Sequence, residues 1–224
     1  MDRHLVISTD GHAGLPPGEY RDYLDPEFRE AYAGSLGLQL EQARALRRSM
    51  EIEEINRNWR RGIEKELTGA WDHAERLKVQ DGDGIAVEVI FPDGLTENNA
   101  PPFGAGLSVG PRGGEYRTQW AGARAHNRWL AEFCQMAPGR RLGVAVVPAT
   151  WNVDEAVREV RWARQNGLGS IMIPVLWGPH APYHHPKYDP LWAVCQELDV
   201  VIHFHSGPAP AEEYFGTPGE APLV

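Results

Sequence analysis

Leu142-Gly143-Val144-Ala145-Val146-Val147-Pro148 decides the fold of this chain. The run is short, apolar on both faces and stopped by proline, so it reads as a strand covered on two sides. Val153–Gln165 follows with helical spacing, Asn152 or Asp154 as its N-cap and Gly167 past its end. Ser170–Ile173 is the next strand, stopped by Pro174; Asp189–Leu198 is the next helix, and Val200–His205 the strand after it. In the other direction, Glu115–Met136 reads as a helix, preceded by a Gly/Pro-rich loop over Leu95–Gly114. Before that loop stand a strand, Ile85–Phe91, and a helix, Trp71–Val79, ended by Asp81-Gly82-Asp83-Gly84. Residues 4–10 make a fifth strand. Short strands alternating with longer helices predict right-handed βαβ units and a parallel sheet. No Gly-x-Gly-x-x-Gly follows the first strand, so a dinucleotide fold is unsupported. The strands end instead in polar or proline loops, at Asp10, Pro92, Pro148, Pro174 and His205, which is the pattern of a barrel with function at its C-terminal strand ends.

Two of those ends carry chemistry. Asp10-Gly11-His12 closes the first strand and His203-Phe204-His205-Ser206-Gly207 closes the fifth. Side chains alternate along a strand, so Asp10 and His12 share a face, as do His203 and His205. Paired imidazole and carboxylate at two strand ends are what a divalent metal site requires. Read by itself, Asp10-Gly11 is equally a turn pair and His205-Ser206-Gly207 the start of a loop.

Composition narrows the class. The 224 residues include 22 Lys plus Arg against 31 Asp plus Glu, a net charge of -9 that argues against nucleic-acid partners. No apolar run approaches the roughly 20 residues of a membrane span, and the first residues are too little apolar for a signal peptide. These features predict a soluble cytoplasmic protein. Cys134 and Cys195 do not make a disulfide framework and read as small core residues.

Between strand one and the first regular helix lies an insertion, residues 13–70, turn-rich at first and then charged and helix-forming over Leu38–Leu67. Leu46, Met50, Ile52, Ile55, Trp59 and Ile63 recur there at mostly helical spacing, which predicts a solvated lid or a surface for a homo-oligomer. Trp129, Trp162 and Trp192 fall on predicted helices and read as core packing.

Ile7-Ser8-Thr9-Asp10-Gly11-His12 resembles the first-strand metal motif of the amidohydrolase-related family that includes aminocarboxymuconate semialdehyde decarboxylase and other non-oxidative decarboxylases. The most specific stretch is Tyr183-His184-His185-Pro186-Lys187-Tyr188-Asp189-Pro190-Leu191-Trp192, running through Cys195-Gln196-Glu197-Leu198 into His203-Phe204-His205-Ser206-Gly207. Ala86–Pro92 and Asn127-Arg128-Trp129-Leu130 add to the likeness, which covers Val6–Gly207 apart from most of the insertion. The resemblance implies a (β/α)8 barrel of the TIM type with about five of its eight units in this single partial domain, residues 1–224. It implies a divalent metal, zinc first, held by Asp10, His12 and His205, and a small carboxylate substrate. The implied activity is a carboxy-lyase, with a hydrolase of the same superfamily or a non-catalytic barrel fragment as alternatives. Asp10 stands where the best-studied members carry His, and that harder oxygen shifts preference toward manganese or magnesium. The family's sixth-strand catalytic His and eighth-strand Asp have no counterpart before Val224; three further units take roughly 100 residues. The sequence therefore predicts that this chain alone is inactive and poorly stable.

The remaining candidates are supporting ones. His203 lies deeper than His205 and reads as a hydrogen-bonded neighbour of the ligands. Glu88, the lone charge in Ile85–Phe91, needs an Arg or backbone amide inside the barrel, or a catalytic use. Asp93, Asn98 and Asn99, after the second strand, read as substrate contacts or as plain turn residues. His180, His184 and His185 read as surface or substrate-contact histidines.

Overall fold

Five parallel strands lie side by side in chain order: β1 (Ile7–His12), β2 (Val87–Phe91), β3 (Arg141–Val146), β4 (Ser170–Met172) and β5 (Val201–His203). The computed structural model describes residues 4–50, 65–93, 100–107, 109–110 and 115–205. Its α-helices are α1 (Arg29–Met50), α2 (His73–Gly82), α3 (Tyr116–Gln135), α4 (Val153–Gln165) and α5 (Asp189–Glu197). The helices and the parallel strands together form half of a TIM-type barrel.

Alternation along the strands sorts the core into two layers. Ile90, Ala145, Val147, Ile171 and Ile173 face outward and pack with Trp129, Leu130, Val160 and Leu191 of the helices. Val89, Phe91, Val144, Val146 and Met172 face inward, where Ala105, Leu107 and Val109 of the loop after β2 join them. This explains why the strand runs are apolar on both faces. Local chemistry fixes the helix starts. The Asn152 side chain accepts from Glu155 N at 3.1 Å and caps α4; Asp72 does the same for α2, from Glu75 N at 2.8 Å. Cys134 and Cys195 are free and buried.

Two elements differ from the sequence reading. The first strand is expected over residues 4–10 but is Ile7–His12. A register shift between Ser8 and Gly11 lets the ladder continue, so that His12 pairs with Phe91. The insertion is also more than turns and a solvated helix. Short 3-10 turns at Pro17–Asp22 and Pro26–Phe28 carry Tyr20 and Leu24 into the core beside Tyr32 of α1. Tyr20 meets the edge of Trp129, and its hydroxyl accepts from Leu15 N and shares a hydrogen bond with buried His126 Nδ1. Ile52, Ile55, Trp59 and Ile63 lie outside the described residues.

Candidate metal centre

The curvature of the sheet makes the site. Five strands about 4.8 Å apart would, if flat, separate the first from the last by about 19 Å. Here His12, the last residue of β1, and His205, two residues beyond β5, approach to 3.2 Å between their Nε2 atoms. Asp10 Oδ1 lies 2.8 Å from His205 Nε2 and 3.5 Å from His12 Nε2. Among the described residues these three form the one group of three or more metal-ligating side chains. Ligands about 2.1 Å from a tetrahedral ion stand about 3.4 Å from one another, and octahedral neighbours stand closer. The observed triangle fits one divalent ion. Its histidine side chains are about one-fifth exposed while Asp10 is 70% exposed, so the triangle is backed by protein and open on one side.

The surroundings orient the donors. His12 Nδ1 lies 2.9 Å from the Pro92 carbonyl oxygen, which can only accept. The ring proton therefore sits on Nδ1 and the Nε2 lone pair faces the triangle. Phe91 packs among the histidines, its ring edge-on to His205 at 4.5 Å and to His203 at 5.2 Å. His203 faces inward below the triangle, and its buried Nε2 has no hydrogen-bond partner. Burial, and then the neighbouring His205, lower its pKa.

Glu88 meets the Arg that the sequence reading calls for, but outside the barrel. It shares its side of β2 with Ile90, so it points to the outer helix layer and not into the barrel. There Arg76 of α2 holds it with two hydrogen bonds, from Nε at 2.5 Å and Nη2 at 2.8 Å, while Arg141 lies 3.9 Å away. Arg76 Nη1 also donates to the backbone oxygens of His12 and Gly69. Glu88 thus acts on His12 through Arg76, as an anchor for the end of β1. A lone charge in an apolar strand announced that a cation was needed; nothing in the spacing of α2 announced which. Gly11 fits this arrangement, since a Cβ there would lie 3.0 Å from the Glu88 carboxylate.

Asp93 sits at the strand end with its carboxylate buried. Burial pushes its pKa up to about 6, against the opposing pull of Leu107 N–H and His12. Asn98 and Asn99 lie outside the described residues. The loop histidines stay away from the triangle: His184 and His185 are exposed, His185 accepts from Lys187 N, and His180 packs edge-on against Trp151. A cavity of about 280 Å³ opens beside Asp10 and His12, with Leu67, Arg76, Gln80 and Glu88 in its wall. A larger one of about 560 Å³ lies between residues 22–29 and α3, where Arg128 and Asp25, and Tyr23 and Glu132, already satisfy each other.

Two histidines and a carboxylate thus meet at the C-terminal strand ends of a half-barrel. The chain belongs to the amidohydrolase family, whose model matches residues 10–222. Among solved structures it is similar to an amidohydrolase from Mycobacterium avium subsp. paratuberculosis, with 15% identity and a TM-score of 0.63, covering 92% of this chain and 60% of that one. It is similar to 5-carboxyvanillate decarboxylase from Novosphingobium aromaticivorans, solved with manganese, at 18% identity and TM-score 0.59, covering 92% and 52%. It also resembles 2,6-dihydroxybenzoate decarboxylase from Rhizobium, at 20% identity and TM-score 0.53, covering 96% and 55%. The chain thus spans between about half and three-fifths of the length of these proteins. No curated protein sequence matches it.

Proposed function

We propose that Asp10, His12 and His205 hold a divalent ion in a non-oxidative carboxy-lyase that acts on a small carboxylated aromatic or enol-type substrate. The observation that carries this reading is the donor triangle, with edges of 2.8, 3.2 and 3.5 Å and the His12 lone pair turned into it. Two imidazoles and a carboxylate suit zinc or manganese; the oxygen of Asp10 favours manganese over the zinc expected from the family at large. The manganese of the similar 5-carboxyvanillate decarboxylase supports that preference.

A bound ion at this place supplies positive charge for a substrate carboxylate and lowers the pKa of a bound water. The protein's own residues do the rest. Asp10 and His205 hold from opposite edges of the sheet. Phe91 backs the triangle with an apolar ring, and the exposed Asp10 leaves its other side open. Arg76 fixes the backbone on which His12 stands.

Mn²⁺-loaded protein in which the barrel around these residues is complete should, against a panel of hydroxybenzoates, release CO₂ without consuming an oxidant. His12→Ala and His205→Ala should lose both the metal and the activity. Ester cleavage with no CO₂ release would replace the carboxy-lyase by the hydrolase reading. Unchanged metal content in both variants would remove the site.

A further inference from the structure

We infer that Asp93 is a positioning residue for His12: its carboxylate straps the turn after β2 to the Leu107 backbone and thereby sets the Pro92 carbonyl that fixes the His12 ring. The inference rests on the reading of His12 as a metal ligand. The parts form a continuous chain of contacts. His12 Nδ1 meets Pro92 O at 2.9 Å, and Ala13 N donates to Phe91 O at 3.1 Å, so the ends of β1 and β2 are joined just before Asp93. Asp93 then takes a φ of +67°, a left-handed conformation that Asp and Asn tolerate best among non-glycine residues. That twist turns the side chain toward the far end of the loop. Oδ2 accepts from Leu107 N at 2.7 Å, while Oδ1 is buried with no partner.

The strap needs space, and glycine provides it. A Cβ at Gly106 would lie 2.1 Å from Asp93 Oδ1 and 2.4 Å from Oδ2, so no other residue admits the carboxylate there. The far end of the strap is itself anchored. Pro102 O presses so closely on α3 that a Cβ at Gly122 would lie 2.0 Å from it, and Phe103 meets the edge of Tyr32. Ala105 N and Val109 N donate to Pro102 O and Gly106 O and stiffen the stretch between. The position of α3 is thus transmitted through residues 102–107 and Asp93 to a carbonyl that selects one tautomer of His12. Neighbours of this kind typically carry 10- to 100-fold in metal affinity.

The test compares Asp93→Ala, Asp93→Asn and Gly106→Ala with the unaltered chain. Two quantities are measured: Mn²⁺ affinity by electron paramagnetic resonance, and the ¹⁵N shifts of the His12 ring without metal. Asp93→Asn keeps an acceptor for Leu107 N and tolerates the same φ, so it should bind Mn²⁺ within about threefold of the original. Asp93→Ala and Gly106→Ala should each weaken binding about 10- to 100-fold and turn the single Nδ1–H tautomer into a mixture. Gly106→Ala also decides the matter if Asp93→Ala does not fold, as judged by circular dichroism. Folded Asp93→Ala or Gly106→Ala protein with unchanged affinity and a single His12 tautomer would overturn the inference and leave Asp93 a loop fastener. If the unaltered chain binds no Mn²⁺, the metal reading fails, and the tautomer measurement still decides the strap.

Discussion

Glu88 shows how one residue commits others. Its carboxylate is the counter-charge for Arg76 and Arg141 on a face with almost no access to water. Glu88→Gln would leave buried guanidinium groups without that charge, at about 3–5 kcal/mol in urea unfolding. His126 gives a pH dependence. Burial lowers its pKa to about 3, from 6.5 in an unfolded chain. Between those values the unfolded state takes up a proton that the folded state refuses, so the stability present above pH 6.5 is lost as pH falls. His126→Gln should flatten the slope of stability between pH 6 and 4 by on the order of 1 kcal/mol per pH unit, measured by denaturant titration. Single residues were unevenly legible in the sequence. Asp10, His12 and His205 stood out because ionisable groups ended apolar runs. Arg76 and Tyr20 did not, because a cation on a charged helix and an aromatic in a turn have no period to mark them.

Among elements, proline and caps told most. Pro148 and Pro174 closed strands that the structure ends within two residues of them, and Asn152 caps α4 as its position predicts. The turns that open the insertion are read from its glycines and prolines, but the core contacts of Tyr20, Leu24 and Tyr32 are not, because irregular turns give them no period. Asn127 stands out only through family likeness, yet it clamps three elements. Its Oδ1 accepts from Val146 N, and its Nδ2 donates to Val146 O at 2.9 Å and to Glu159 Oε1 at 2.7 Å, joining α3, β3 and α4. Burial already raises the Glu159 pKa, and the Asn127 hydrogen bond opposes that rise. Asn127→Ala should cost about 3 kcal/mol in thermal or urea unfolding, since it strands two buried backbone groups and a carboxyl. Val146 N–H should lose its protection from hydrogen exchange at the same time.

For the molecule as a whole, the donor triangle ties the two outermost strands together. A ligand that binds only the folded state at 100 times its Kd adds about 2.7 kcal/mol. Mn²⁺ at that level should raise the Tm by roughly 5–10 °C in a chain of this size, and a chelator should reverse the rise. His205→Ala should show neither change. The parallel sheet is readable from rhythm alone; the partial barrel and the meeting of its two ends follow only from the family likeness, because curvature is a property of the whole sheet. The pairing of strands in chain order bears finally on the order of assembly. Ile7 pairs with Val87, 80 positions on, whereas Val144 pairs with Ser170 and Ser170 with Val201. Closing the longest of these loops costs about 1 kcal/mol more entropy than closing the short ones. On a refolding pathway β3, β4 and β5 therefore zip early and β1 docks late, bringing Asp10 and His12 with it. Metal capture then reports the last kinetic step, and a stopped-flow trace of Mn²⁺ binding should lag behind the burst in helical signal.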